Sequence, residues 1–243
     1  MTHKYIISFC YVNKYFIEYM KTFVDYRVIN SSDLDSIDTI DELLVMQNAN
    51  WVPNNILQKT KILRVVNTEQ LCFLDVEKRV LNELKTISGR AGYPVEVVDY
   101  SNSNIDILSK HGIVCTLHEY SSPPDEIAYL QDLVLRSEKL YDIGFVGHIN
   151  PRRKYVIDKL SEKGYKVLIT DKFGNERDCL LAKCRNVLNI HVEAYYDIFE
   201  AIRCSRWLSA GLTVISENSR DFPKSEFLKL FSYEELCALD IPL

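Results

Sequence analysis

The sequence has 243 residues and a net charge of −5, and 47% of its residues are hydrophobic. A chain of this length holds one large domain or two compact ones, and its acidic balance argues against a general nucleic-acid-binding protein. The seven cysteines include no C-x-x-C pair, so we expect reduced thiols in a cytoplasmic protein rather than a disulfide framework or a zinc site. The apolar run Tyr5–Val12 is too short to span a bilayer and has no cleavage-site pattern, so no signal peptide or transmembrane segment is predicted.

The first half of the chain predicts strands that alternate with helices. Short apolar runs predict strands at Tyr5–Tyr11, Arg27–Asn30, Leu43–Gln47, Lys61–Val66, Val95–Val98 and Gly112–Leu117. Amphipathic spacing predicts helices at Lys14–Tyr26, Gln70–Ile87, Ile105–Lys110 and Asp125–Leu135. A polar segment, Arg136–Lys139, follows, and we place the domain boundary there, between residues 138 and 139.

The second half predicts a more regular alternation. Strands are predicted at Asp142–Val146, Lys166–Thr170, Asn186–His191 and Leu212–Ser216, and helices at Arg152–Lys163, Asn175–Cys184 and Asp197–Ala210. Because apolar strands separated by helices form parallel sheets covered on both faces, the fold class is α/β. We therefore expect two Rossmann-like α/β domains with mostly parallel sheets, residues 1–138 and 139–243, with ligands at the carboxyl ends of the strands.

The stretch Tyr141–Lys154, YDIGFVGHINPRRK, indicates an anion site. Asn150 and Pro151 suit the cap and the first position of a helix, and the segment Arg152–Lys154 then places three cations in its first turn. A helix N-terminus is already positive, so these cations predict a bound phosphate or diphosphate. A solvated basic turn is the alternative interpretation.

Polar residues also follow the other predicted strands of the second half, at Asn189–Glu193 and Ser216-Glu217. The helix Asp197–Ala210 carries Glu200 in its first turn and Arg203 on the same face. A carboxylate in this position can accept hydrogen bonds from both hydroxyls of a ribose. Stabilisation of the helix N-terminus is the alternative role.

The second half contains four segments in the order FVGHINPRRK, FGNERD, LNIH and FEAIRCSRWLSAGLTVISE. In these segments and their order it resembles the C-terminal domain of GT-B-type glycosyltransferases, and most closely the glycosyltransferases predicted in large DNA viruses. The resemblance covers Tyr141–Glu217 and extends more loosely to Asn67–Gln70 and Asp99–Ser101.

The resemblance implies roles for individual residues. It implies that this domain binds a nucleotide-sugar donor, with Glu200 on the ribose and the glycine turn at Gly147 and Arg152 or Arg153 on the diphosphate. His148, His191 and Arg203 are assigned to the same donor site. Glu69, just past the strand Lys61–Val66, is predicted as the catalytic base of an acceptor-side first domain; His191 and a plain helix start remain the alternatives.

The chain departs from the family pattern in two places. Many retaining members have two glutamates with seven residues between them, whereas Glu193 stands one residue too close to Glu200. The sequence also reaches Leu243 soon after the last predicted strand, so a small version of the fold is expected. Asp33-Leu34-Asp35 matches the Asp-x-Asp metal motif of other sugar transferases, but an acidic loop before a helix is the preferred interpretation, and no metal site is predicted.

The functional prediction is a metal-independent glycosyltransferase, with no cofactor other than the nucleotide sugar as co-substrate and a glycan, protein or small molecule as acceptor. One alternative is a non-catalytic nucleotide-sugar-binding or scaffold protein. A second is an NAD(P)-dependent oxidoreductase, favoured by Asp171 about twenty residues after the glycine turn. Gly147-His148-Ile149-Asn150 argues against this second alternative because it is not G-x-G-x-x-G.

Overall fold

The computed structural model describes residues 3–9 and 13–240, with the side chains of residues 13–15 left outside that description. The chain divides into two compact units, Met1–Tyr120 and Ser121–Leu243. The carboxyl-terminal part of the predicted strand Tyr5–Tyr11 lies outside the described residues. Within those residues, each helix is too short or too polar to pass through a bilayer.

The first unit contains a six-stranded sheet in which every neighbouring pair is parallel. Its strands are β1 Lys4–Ser8, β2 Arg27–Val28, β3 Ile40–Met46, β4 Thr60–Val66, β5 Glu96–Asp99 and β6 Cys115–Leu117, in the order β2-β1-β3-β4-β5-β6. Its α-helices are α1 Asn13–Met20, α2 Asn54–Lys59, α3 Leu74–Ala91 and α4 Asn102–Lys110. The described part of this unit also contains two 3₁₀ turns, Ser31–Ser36 and Ala49–Trp51.

The second unit contains a five-stranded parallel sheet. Its strands are β7 Tyr141–Val146, β8 Val167–Thr170, β9 Cys184–Asn189, β10 Thr213–Glu217 and β11 Leu228–Phe231, in the order β11-β10-β9-β7-β8. Its helices are α5 Pro124–Arg136, α6 Pro151–Glu162, α7 Gly174–Leu181, α8 Ala201–Ser209 and α9 Tyr233–Ala238. The predicted α/β class with two Rossmann-like, mostly parallel sheets is confirmed.

Helix α5 lies in the second unit, whereas our prediction placed it in the first. A buried charge cluster holds it there: Arg206 of α8 contacts Asp178 of α7 at 2.9 Å and Glu126 of α5 at 2.7 Å. The Arg177 guanidinium donates to the same Asp178 carboxylate at 2.7 Å. The polar segment Arg136–Lys139 therefore joins α5 to β7 inside one unit, and the division between the units falls at residues 120 and 121.

The α-helices α2 and α9, the strand β11 and the 3₁₀ turn Ala49–Trp51 were absent from the prediction. Helix α9 follows a capping box in which Ser232 and Glu235 bond reciprocally to each other's backbone N–H groups. This S-x-x-E signal is visible in the sequence and could have revealed the helix. Helix α3 begins at Leu74 rather than Gln70, which leaves Asn67–Gln70 in the turn after β4.

Gly144, in the centre of β7, allows α7 to pack closely against the second sheet. A Cβ atom at this position would lie 2.7 Å from both Cys184 Sγ and Leu181 Cδ2. We expect Gly144→Ala to lower the free energy of unfolding by about 1–3 kcal/mol, as overpacked cores do, in a urea titration. Gly89→Ala is the matched control, because a Cβ there meets nothing within 4 Å and alanine favours the helix. Equal stability of the two variants would contradict this packing.

Candidate functional site

The second sheet has a topological switch point between β7 and β9. The chain passes from β7 to its neighbour β8 on one side, and then returns past β7 to β9 and β10 on the other side. In open parallel sheets the crevice at such a reversal, outside the carboxyl ends of the strands, is where ligands bind. The residues that follow β7 and β9 are therefore the first candidates for a site.

Gly147 follows β7 with a φ of +135°, a backbone conformation that L-amino acids with side chains rarely adopt. A Cβ atom there would lie 3.8 Å from Arg203 Cζ and 3.9 Å from Arg153 Nη1. The glycine therefore lets the chain turn immediately beside two guanidinium groups. This brings together Gly147 and Arg203, which the sequence assigned to the same donor site.

Helix α6 starts as predicted, with Pro151 at its first position and Asn150 as its N-cap. The Asn150 side chain accepts from Arg153 N at 3.0 Å and donates to Val192 O at 2.6 Å. One asparagine thus caps the helix and ties the loop after β7 to the segment after β9.

Arg152 and Arg153 both bond to protein groups. Arg153 is 3% exposed, and its guanidinium donates to the carbonyl oxygens of Ile190 and His148 at 3.0 and 2.9 Å. Arg152 forms a two-pronged ion pair with Glu217 and donates to His191 O at 2.9 Å. These contacts brace the loop after β7 against β9 and β10, so a diphosphate bound by Arg153 would have to replace two carbonyl partners.

Helix α8 begins at Ala201 rather than at the predicted Asp197, so Glu200 is its N-cap residue and precedes the first turn instead of lying in it. Its Oε2 lies 3.4 Å from Arg203 Nη2. Arg203 Nη1 also donates to Asn189 Oδ1 at 3.3 Å, and Asn189 Nδ2 donates to Ser216 Oγ at 3.0 Å. A polar chain therefore runs from β10 through β9 to Glu200 and Arg203 at the switch point.

The two histidines of the predicted donor site differ in exposure. His191 is 1% exposed, and burial lowers its pKa, which favours the neutral ring near pH 7. Its Nε2 lies 3.2 Å from Asn218 O and 3.1 Å from Ser219 Oγ, while its buried Nδ1 has no partner in the described part of the chain. His148 is exposed, and its carbonyl holds Arg153.

The sequence did not single out Tyr233, which borders an open hollow of about 660 Å³ together with Arg152, Tyr155 and Glu217. The Arg152 guanidinium lies 4.1 Å from the Tyr233 ring centre, and Tyr233 Oη donates to Arg152 O at 3.0 Å. Because Tyr233 opens the missed helix α9, recognising the capping box would have placed it in the first turn of a helix.

In the first unit, a buried amide–carboxylate clamp joins the ends of β4 and β5. Asp99 is fully buried and accepts from Asn67 Nδ2 at 2.6 Å, Ser101 N at 2.8 Å and Asn104 Nδ2 at 3.2 Å. Asn67 and Asn104 also donate to Glu69 O. The clamp fixes the turn that carries Glu69 and links the two upstream segments of the family resemblance.

The Glu69 side chain, predicted as the base, is 35% exposed and pairs with Arg79 at 3.2 Å. Both residues line a small pocket of about 80 Å³ with Gln47, Thr68 and Glu83. Glu69 thus occupies a polar pocket of the first unit, while the other predicted site residues belong to the second unit.

The Asp-x-Asp segment lies in the 3₁₀ turn Ser31–Ser36. Asp33 accepts from Asn30 N at 3.0 Å, and Asp35 accepts from Asn55 Nδ2 at 3.2 Å. Leu34, between them, is buried. Both carboxylates therefore have local partners that stabilise the turn and the start of α2.

Comparison with known proteins finds relatives in a virus. No family model matches the chain. Uncharacterized protein L140 of Acanthamoeba polyphaga mimivirus is 28% identical over 246 residues, which cover 97% of this chain and 76% of that protein. Uncharacterized proteins L138 and L137 of the same virus are 32% and 27% identical and match 76% and 96% of this chain.

The chain spans only 21% of the length of L138 and 32% of the length of L137. These similarities support a viral origin. These relatives are uncharacterized, so the glycosyltransferase resemblance stays a prediction.

Proposed function

We propose that the second unit binds a nucleotide-diphosphate sugar at the switch point between β7 and β9, and that the protein transfers the sugar to an acceptor hydroxyl. The observation that carries this proposal is the Glu200–Arg203 pair, which lies at the reversal of strand order with the Arg203 guanidinium against Gly147. A carboxylate and a guanidinium side by side suit the two polar parts of a nucleotide, its ribose diol and its phosphates.

Glu200 has the stronger assignment. Its N-cap position puts the carboxylate at the end of α8 that borders the switch point, and the side chain is 21% exposed, so a ligand can reach it. A ribose diol offers two donors, and a carboxylate accepts both. Arg203 holds the carboxylate in place through their ion pair.

The contacts of the three arginines change which of them we assign to the diphosphate. Arg203 Cζ lies against Gly147, whereas Arg152 is paired with Glu217 and Arg153 is bonded to two carbonyl groups. We therefore propose Arg203 as the residue that meets the diphosphate, and Arg152 and Arg153 as residues that hold the loop in shape. Glu69 of the first unit remains the proposed general base. Its carboxylate accepts the proton, and the clamped turn after β4 fixes the backbone that carries it.

We expect Glu200→Gln to weaken binding of the nucleotide-sugar donor by about tenfold to a hundredfold, because one charged hydrogen bond is worth about 1.5–3 kcal/mol. Isothermal titration calorimetry measures this change. Glu176→Gln is the matched control, since Glu176 lies near the N-terminus of another helix, α7, but is exposed and pairs with Lys172. Full affinity in Glu200→Gln, with a lowered melting temperature, would make Glu200 a structural residue.

A further inference from the structure

An exposed tryptophan stands on a groove of the first unit that the proposed nucleotide site does not use. Trp51 is 64% exposed, in the 3₁₀ turn Ala49–Trp51. Its neighbours Ala49 and Val52 are fully buried. The turn is thus anchored in the core on both sides while the indole faces solvent.

The turn is held rigidly in this conformation. Arg90 of α3 donates to the carbonyl oxygens of Asn50 and Val52 and to Asn54 Oδ1. On the other side, Gln47 and Asn48 have φ angles of +57° and +51°, which cost free energy in residues other than glycine. Strained backbone persists where its surroundings fix it and is concentrated at functional sites, so this geometry presents Trp51 in a preorganised position.

The groove beside Trp51 has a volume of about 600 Å³, within the range of about 300–1,000 Å³ usual for ligand sites. Its charged lining consists of Asp75 and Glu83 against Lys78 and Arg79, which sum to no net charge. An anionic polymer or a phosphate would therefore gain little there, and a neutral ligand fits better.

Besides Trp51, the uncharged lining consists of the amides of Asn48, Asn50 and Asn82 and the hydroxyl of Thr86. Asn50 Oδ1 and Glu83 Oε1 are acceptor atoms without a hydrogen-bond partner among the described residues. Acceptors without donors favour a ligand rich in hydroxyl groups. Both atoms are buried, so the ligand would reach them after a change of side-chain rotamer.

We propose that this groove binds a neutral saccharide chain, with Trp51 packed against the apolar face of one sugar ring and Glu83 and the asparagine amides bonded to its hydroxyls. The tryptophan side chain supplies a large, rigid apolar surface that also carries a polar N–H group. A sugar ring has an apolar face and polar hydroxyls around it, so the face can pack on the indole while the hydroxyls bond to the amides. The groove shares Asn48, Arg79 and Glu83 with the pocket of Glu69. Its use as the acceptor site rests on the proposed function, but saccharide binding does not.

The test is binding of the full chain to an array of neutral and acidic oligosaccharides without nucleotide, followed by fluorescence titration with the best-bound neutral one. The chain has two tryptophans, and Trp207 is fully buried, so a ligand-induced change reports on Trp51. We expect selective binding of neutral oligosaccharides, weakened at least tenfold in Trp51→Ala and in Glu83→Gln. Phe222→Ala, which removes another exposed aromatic ring at 46% exposure, should bind normally.

Three results would overturn the inference: no neutral oligosaccharide bound by the wild type, binding of acidic glycans alone, or full affinity in Trp51→Ala. Circular dichroism of each variant shows whether it is folded, and Trp51→Phe, which keeps an aromatic ring, should retain part of the affinity. Nucleotide-sugar titration of the same preparations separates the two proposals. Lost saccharide binding with intact nucleotide binding is the expected outcome for Trp51→Ala, whereas absent nucleotide binding in the wild type would remove only the proposed function.

Discussion

Asp178→Asn is expected to lower the free energy of unfolding by about 3–5 kcal/mol, the usual cost of breaking a buried ion pair by removing one partner. Asp178 is 2% exposed and accepts hydrogen bonds from Arg177 and from both terminal nitrogens of Arg206. With asparagine in its place, two buried guanidinium groups lose a charged acceptor. The cluster joins α5, α7 and α8, so the second unit should loosen as a whole.

Urea denaturation monitored through Trp207 fluorescence measures this loss. Trp207 neighbours Arg206 on α8, with the guanidinium 5.4 Å from its ring, and a Trp51→Phe background leaves it as the single indole. Asp158→Asn is the control, because Asp158 pairs with Lys154 on an exposed helix face and should cost at most about 1 kcal/mol. A loss below 1 kcal/mol for Asp178→Asn would show that the cluster contributes little.

The second large effect is a fall in stability as pH rises, caused by Asp99. Burial raises its pKa to about 7, despite hydrogen bonds from Asn67, Ser101 and Asn104 that act in the opposite direction. In the unfolded chain its pKa is about 3.9, so between about pH 4 and pH 7 the folded state holds a proton that the unfolded state has lost. The stabilisation by Asp99 protonation is therefore full below pH 4 and lost above pH 7, a total of about 4 kcal/mol.

Urea titrations at pH 5 and pH 8 should differ by about 2–3 kcal/mol because of this group. Burial lowers the pKa of His118 and His191, and these two groups contribute the opposite trend at acid pH. Asp99→Asn isolates the effect, since that variant keeps both histidines and should lack the fall. The control Asp106→Asn, at an exposed position of α4, should show the full fall. A wild-type profile that matches the Asp99→Asn profile would contradict the assignment.

The sequence predicts the parts of this protein that depend on local signals. The apolar runs gave most strands of both sheets, and Asn150 and Pro151 located the start of α6, because cap and first-turn preferences act within a few residues. Glu200 and Arg203 were predicted on one helix face, and three-residue spacing brings them together. Parallel pairing then placed Gly147 near them, since neighbouring strands end at the same edge of the sheet.

Long-range polar partners could not be predicted in this way. Arg177, Asp178 and Arg206 look like ordinary helix surface charges in the sequence, and they become a buried cluster once α5, α7 and α8 pack. Arg153 was predicted to bind phosphate because it lies in a cationic first turn. Its partners in the structure, the carbonyl oxygens of Ile190 and His148, could not be read from side-chain patterns. Backbone partners leave no trace in side-chain patterns.

The central claim is that the second unit recognises a nucleotide-diphosphate sugar, and a thermal-shift panel of UDP-, GDP-, dTDP- and CMP-sugars with NAD and NADP tests it most directly. At about a hundredfold excess over its Kd, the correct ligand should add about 2.7 kcal/mol of stability, or about 5–10 °C in melting temperature. We expect this shift with a diphosphate sugar, absent for CMP-sugars and for NAD and NADP, and reduced in Glu200→Gln. No shift with any diphosphate sugar, or a shift with NAD or NADP that Asp171→Ala abolishes, would contradict the claim.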